Sequence, residues 1–264
     1  MWTMGFLLPH APILVPEVAA RSGSGTGKTL EGLRSLGGRL KELAPDHLLV
    51  LDPHAVSDRT FTLINPGRFV GDLGNFGAPS VSISLKGAAE EGERLIEYIS
   101  SFIPSSACRP SEIDLDYAAV VSLHLLGPAL CKTPSMILAN PVTIDHCQAY
   151  ELGRHLREFV SGKKWGLLAS GDLSHRLTRD APSGFHPDGR VLDEAIVESL
   201  KRSSPDPVLD LPGQVIRNAG ECGLRSVLAL IGLSMSSPIE VLSYESPFGV
   251  GYATALLDLS GEGE

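Results

Sequence analysis

Little in this 264-residue chain is arranged to bind nucleic acid or lipid. Its 22 lysines and arginines are outnumbered by 31 aspartates and glutamates, leaving a net charge of −9. A phosphate backbone or an anionic membrane calls for a basic surface, and no Lys/Arg-rich run supplies one. No stretch approaches the roughly 20 uninterrupted apolar residues of a membrane span. The apolar N-terminus, MWTMGFLLPHAPILVP, lacks the positive n-region of a signal peptide, since its first basic residue is Arg21. The four cysteines, Cys108, Cys131, Cys147 and Cys222, contain no CxxC pair, which fits a reducing, cytoplasmic setting. No internal repeat or linker-like stretch divides the chain. One domain over residues 1–264 is therefore expected, with a hydrophobic content of 43% to build its core and only Ser260–Glu264 read as a disordered tail.

A complete phosphate loop is also missing. Ser22 to Thr29, SGSGTGKT, ends in the Gly-Lys-Thr of such a loop, but Ser22 stands where the first glycine belongs. The residues before it, PEVAAR, are no buried strand, and no later apolar strand ends in a matching aspartate. The stretch reads as a turn into a helix.

What is present is an alternation of short apolar runs with amphipathic helical patterns. Strands are expected at 2–8, 47–51, 81–85, 135–139, 165–170, 239–244 and 249–258. Helices are expected at 29–43, with Leu30, Leu33, Leu36, Leu40 and Leu43 on one face, and at 88–102, 144–160, 191–202 and 219–233. Alternation of this kind implies an α/β sandwich around a largely parallel sheet covered on both faces. The last two strands, split by Glu245-Ser246-Pro247-Phe248, can form a hairpin, which would make the sheet mixed.

Ligands of open α/β sheets sit beyond the carboxyl ends of the strands. His10 follows the first strand, His54 the second, and Gly171-Asp172-Leu173-Ser174-His175 follows WGLLAS. Glu221 is expected in the first turn of the helix before the closing strands. Singly, each has a bland reading: a solvated loop histidine, or a glutamate complementing a helix dipole. Together, two imidazoles and a carboxylate are the ligand set typical of non-haem Fe(II), and they equally suit Zn²⁺. A histidine left off the metal can act as acid and base near neutral pH. His47, His146, His155 and His186 are weaker candidates. His124, in VVSLHLLG, reads as a core or wall residue, and Cys222 as a small buried hydrophobe.

The segments LLPHAPILVPE, LDPHAV, GDLGNFGAP, LASGDLSHRL, NAGECGLRS and SYESPFGVGYA, in this order, resemble the class III extradiol dioxygenases. This is the LigB-like family, and the likeness leans toward its Memo-related branch. The resemblance implies a three-layer α/β/α fold with one Fe(II) site, Zn being an alternative occupant. His10, His54 and Glu221 would be the ligands and His175 the acid/base. It also implies a catechol or related small aromatic and O₂ as substrates, with homo-oligomers common among relatives. One departure is Tyr117, which stands where many members carry a pocket histidine. A phenol donates a hydrogen bond but is no base at neutral pH. Tyr117, His124, Asp172 and Phe248, with Phe76, are the expected substrate-pocket residues. Memo-type relatives share the fold, and their Cys-Gly matches Cys222-Gly223. By that likeness the chain would be a metal-binding accessory protein working with a separate AMMECR1-like or radical-SAM partner, without ring cleavage.

Overall fold

The computed structural model describes residues 1–20, 26–127, 130 and 132–262, with the backbone alone at 38, 40–43 and 262. Ser22–Gly25 of the glycine-rich stretch, Cys131 and the last two residues of the tail lie outside the described residues. In chain order the elements begin with β1 (Trp2–Leu8), α1 (Pro16–Ala19), α2 (Gly27–Leu43), β2 (His47–Leu51) and β3 (Phe61–Ile64). They continue through β4 (Arg68–Leu73), β5 (Ala78–Lys86), α3 (Ala89–Ser100), β6 (Ser105–Cys108), β7 (Glu112–Asp114) and α4 (Tyr117–Leu126). Next come β8 (Ser135–Asn140), α5 (His146–Glu158), β9 (Trp165–Ser170), α6 (Pro187–Arg202), α7 (Asp206–Leu209), α8 (Gly213–Ala219) and α9 (Leu224–Ser234). A hairpin of β10 (Ile239–Glu245) and β11 (Tyr252–Asp258) closes the series.

The main sheet has eight strands in the order β10-β11-β1-β9-β2-β8-β3-β6. Its central four, β1, β9, β2 and β8, are mutually parallel, while β11 and β3 run against them on either side. Side chains of a strand alternate between faces, and both faces here are apolar, which is why the strands read as unbroken hydrophobic runs. Met4, Phe6, Leu48, Val50, Met136 and Leu168 meet Leu36 of α2, Val120 of α4 and Phe69 of β4. The alternate positions Leu7, Leu49, Leu51, Ile137 and Leu167 meet Ile96 of α3, Leu152 of α5, Ile196 of α6 and Leu230 of α9. Each such fully buried side chain contributes about 1.5–3 kcal/mol. The result is the expected three-layer α/β/α arrangement with a mixed sheet.

The structure adds elements to the expected order, among them β3, β4, β6, β7 and α4, and changes two of those expected. The strand expected at 81–85 forms as β5, but in a separate three-stranded sheet, β5-β4-β7, on the α2/α4 side. The helix expected at 219–233 is two helices, α8 and α9, parted at Gly220, whose φ of +62° only glycine adopts at no cost. On the opposite side, α5 crosses α9 at Gly153 and Gly232. A Cβ on Gly153 would collide with the carbonyl of Ala229, and one on Gly232 with that of Tyr150.

The helix that follows the glycine-rich stretch already holds an anion. Glu245, the last residue of β10, accepts hydrogen bonds from Thr29 N (2.7 Å) and Lys28 N (3.4 Å) at the start of α2. A carboxylate of the protein thus sits on the amides that a phosphate would need.

Candidate metal centre

Because β1, β2 and β9 are parallel neighbours, the residues just past their last positions meet at one edge of the sheet. His10 lies beyond β1, His54 beyond β2, and Asp172 and His175 beyond β9. The α8–α9 break brings Cys222 to the same place. The imidazole rings of His10 and His54 stand edge to face with centroids 4.9 Å apart. Cys222 Sγ lies 3.4 Å from His10 Nε2 although the two residues are 212 positions apart in the chain. One donor atom each from His10, His54 and Cys222 falls within 4.8 Å of the other two.

Each member of this group is held from behind. His10 is 2% exposed; its backbone N–H donates to Asp172 Oδ1 at 3.0 Å and its Nδ1 meets Ser170 Oγ at 3.0 Å. Ser170 Oγ in turn lies 3.0 Å from Ser122 Oγ on α4. His54 is the exposed member, its backbone N–H donating to Asp52 Oδ1 at 2.9 Å and its Nδ1 lying 3.9 Å from Asp116 Oδ1. His175 Nδ1 is 2.8 Å from the Gly220 carbonyl. A carbonyl only accepts, so Nδ1 carries the hydrogen and the Nε2 lone pair is left free. That Nε2 lies 3.9 Å from Asp172 Oδ2, which is itself 4.0 Å from His10 Nε2.

Burial dominates the electrostatics. It lowers the pKa of His10 to about 3, with His54 and His175 adding to the effect, so this imidazole is neutral at pH 7. Burial likewise lowers His175, partly offset by its bond to Gly220. The acids move the other way. Burial pushes Asp52 and Asp172 up to about 7, against the hydrogen bonds each accepts from a histidine backbone N–H. The Cys222 thiol is raised well above its usual value, by burial first and then by Asp172. Asp52 Oδ2 has no hydrogen-bond partner among the described residues. Several buried acids with no matching cation, beside two imidazoles, are a donor set that a divalent ion would complete. His10, His54 and Cys222 fit such an ion.

The expected site residues fall into place unevenly. His10, His54, Asp172 and His175 are brought together. Glu221 is not in the first turn of α9 but in the break before it, because α9 starts only at Leu224. Its Oε2 accepts from Leu224 N at 2.6 Å, so the thiol of its neighbour, not this carboxylate, stands beside the imidazoles. Tyr117 opens α4 with its ring 5.3 Å from that of His54 and 5.2 Å from that of Phe76. Burial and Asp116 push its phenol up to about 12, so it stays protonated at neutral pH and can donate a hydrogen bond. His124 lies seven residues past Tyr117 on the same helix, about 10 Å further along its axis. Phe248 sits in the β10–β11 hairpin, 38% exposed. Ser122, Ser170 and Asp116 were not expected at the site. Hydroxyls inside apolar runs carry no pattern that would have singled them out.

Among the described residues, no helix is long and apolar enough to cross a membrane. The model of the family described as the catalytic LigB subunit of aromatic ring-opening dioxygenase matches residues 4–255. A curated protein of Clostridium acetobutylicum, CA_C1420, is 29% identical over 266 residues; the match covers 96% of this chain and 57% of that protein's length. Of solved structures, an uncharacterized protein of Escherichia coli K12, JW3007, shares the fold with a TM-score of 0.63 at 16% identity, covering 97% of this chain and 99% of its own. The chain belongs to the family of the catalytic LigB subunit of aromatic ring-opening dioxygenases.

Proposed function

We propose that this protein is a metal-dependent oxidoreductase of the extradiol ring-opening type, acting on a catechol or related small aromatic with O₂. The observation that carries the reading is the convergence of His10, His54 and Cys222 donor atoms within 4.8 Å, next to a histidine that is not part of the group. A divalent ion held by those three residues would act as a Lewis acid toward a catechol's oxygens and, as Fe(II) rather than Zn²⁺, give access to O₂ chemistry.

The remaining steps belong to the chain's own groups. His175 presents an unprotonated Nε2, held in that tautomer by Gly220, and takes the proton of a substrate hydroxyl. It can return that proton later, since its neutral form is favoured near pH 7. Asp172 spaces His175 from His10 through contacts to both. Tyr117 offers a phenol O–H toward a substrate oxygen, and the Phe76 ring packs behind it. Anaerobic loading with Fe(II), followed by O₂ uptake over a panel of dihydroxyaromatics, tests the reading. Metal bound at one ion per chain with no uptake across the panel would count against it.

A second reading has its own support. A thiol in place of a carboxylate beside the two imidazoles, and a phenol at the pocket where a base is common, favour a metal-binding accessory protein without ring cleavage. The chain spans 57% of the length of its Clostridium relative. The partner in this reading is an AMMECR1-like or radical-SAM protein. Co-purification with such a partner, together with inert iron, would select this reading.

A further inference from the structure

We propose that the free edge of β5 is a docking site for an extended, acidic peptide segment of a partner protein, which adds a fourth strand to the β5-β4-β7 sheet. The site lies by the amino ends of β2 and β8, opposite the candidate metal centre, and nothing about it depends on a metal.

Backbone register shows which groups are free. Gly87 N donates to Gly67 O at 3.4 Å where β4 and β5 begin and end, and Val70 O accepts from Leu115 N at 2.7 Å on the β7 side. The N–H and C=O of one strand residue point the same way, so the pairs Phe69–Leu85 and Gly71–Ile83 exchange the β4–β5 bonds. Ser82, Ser84 and Lys86, opposite Asp72, Val70 and Arg68, therefore aim their main-chain donors and acceptors away from β4. All three residues are exposed, and no main-chain hydrogen bond from the described residues reaches them there. β5 is nine residues long. Unpaired strand groups over such a length recruit another strand unless they are blunted or covered.

A slot runs beside this edge. A cavity of about 350 Å³ is lined by residues 82–85 on one side and by Gly127, Leu130 and Thr133 on the other, with the buried Leu48 and Leu123 as its floor. Side chains of a strand alternate between faces, so four consecutive residues line one cavity only where it follows the strand's edge. Both walls touch the one cavity, so a single added chain fills it. A second copy of this protein would bring a whole sheet against the far wall. The slot continues into a cavity of about 620 Å³, which shares Ser84, Leu85, Thr133 and Pro134 with the first and adds Arg68, Lys86 and Asp46. Asp46 is already taken by Lys132 at 2.6 Å, and Arg68 has Glu112 at 3.7 Å. Lys86 has no ion-pair partner among the described residues and stands directly opposite Arg68. Like charges so placed destabilise a strand pair, and an anion relieves them. In a chain of net charge −9, this end of the slot is rich in cations. The segment that fits has apolar side chains at alternate positions over Leu48 and Leu123, and acidic residues at the Lys86 end.

The probe is the end-blocked peptide Glu-Asp-Val-Ser-Leu-Ser-Val, titrated into the full chain and followed by NMR. Binding should protect the Ser82, Ser84 and Lys86 amides from hydrogen exchange and leave those of Ile83 and Leu85, already paired with β4, unchanged. Ser84→Pro deletes one outward N–H without touching a β4–β5 bond, a change that edge strands tolerate, and should weaken binding ~10-fold. Ser84→Ala loses the hydroxyl that Arg68 Nε meets at 3.1 Å but keeps the N–H, and should bind like the wild type. Lys86→Glu should reverse the preference for this peptide over its Lys-Lys counterpart. No amide protection in the wild type, undiminished binding by Ser84→Pro, or indifference to the peptide's charge overturns the proposal. So does self-association of the chain that Ser84→Pro abolishes, since the occupant would then be a second copy. Should Ser84→Pro not fold, the wild-type exchange pattern and Lys86→Glu decide the matter.

Discussion

Replacing Cys222 by serine and, separately, Glu221 by glutamine distinguishes the two side chains that compete for the third position at the metal. The thiol lies 3.4 Å from His10 Nε2, while the carboxylate is tied to Leu224 N at 2.6 Å. A four-ligand protein zinc site is worth ~10–16 kcal/mol in total. One ligand's share is then about 3 kcal/mol, or about 10²-fold in affinity. Cys222→Ser should therefore lose about two orders of magnitude in Zn²⁺ and Co²⁺ affinity, and with Co²⁺ it should lose the sulfur-to-metal absorption in the near ultraviolet. Glu221→Gln keeps a carbonyl acceptor for Leu224 N and loses only the charge facing the start of α9, about 0.5–1 kcal/mol of stability. Its metal affinity should change by less than about threefold, since that charge is not in the donor group. Titration of metal-free protein against a competing chelator reads both variants. The reasoning is refuted if Glu221→Gln abolishes binding while Cys222→Ser leaves it intact, for the carboxylate would then have left Leu224 to take the metal.

Three further outcomes follow from the geometry. His175→Asn should keep full metal content while slowing turnover of any substrate found by about 10²–10⁴-fold, the usual worth of a positioned acid/base. Gly153→Ala should destabilise the α5–α9 crossing by about 1–3 kcal/mol, read as a lower thermal midpoint, because its methyl would meet the Ala229 backbone rather than a yielding side chain. Asp193 governs a pH effect. Buried on α6, it accepts from Ser174 N and from the Tyr244 hydroxyl, both at 2.8 Å, and burial raises its pKa from 3.8 to about 7. A group whose pKa is raised on folding adds stability at low pH and loses it as pH climbs through the folded value. Asp52 and Asp172 shift in the same direction, so denaturant titrations should show a fall between about pH 4 and 7, of which Asp193→Asn removes a part of at most on the order of 4 kcal/mol. An equally steep fall in that variant would remove Asp193 as a source of it.

The part of this molecule legible in its sequence is the part that repeats a physical rule. Strands buried on both faces have to be continuous apolar runs, so HLLVL and WGLLAS announce themselves. The residues that follow parallel strands must share an edge, so His10, His54 and His175 could be grouped before any coordinates. The rule fails where elements are short or polar. β6, at the edge of the main sheet, is Ser-Ser-Ala-Cys, and β7, at the edge of the second, only Glu-Ile-Asp, so neither leaves a periodic signal. It fails again where one residue decides a direction. A helix ending in a left-handed Gly220, not one running through it, turns Cys222 inward and sends Glu221 to cap α9. The expected hydrophobic role for Cys222 followed from average behaviour of buried thiols. No composition rule could tell that this one faces an imidazole.

The donors of the proposed metal centre come from the first strand, the second, and a break near residue 222, with the acid/base candidate on the loop after β9. No contiguous fragment contains them. Until β9 has inserted between β1 and β2, His10 and His54 have no common edge, and until α9 has docked there is no thiol beside them. Metal capture therefore has to come after nearly the whole chain has been synthesised and packed. An ion that binds only the finished arrangement would shift the folding equilibrium by mass action toward it, without rescuing partly folded forms. In a cell, the centre would thus double as a readout of completed folding.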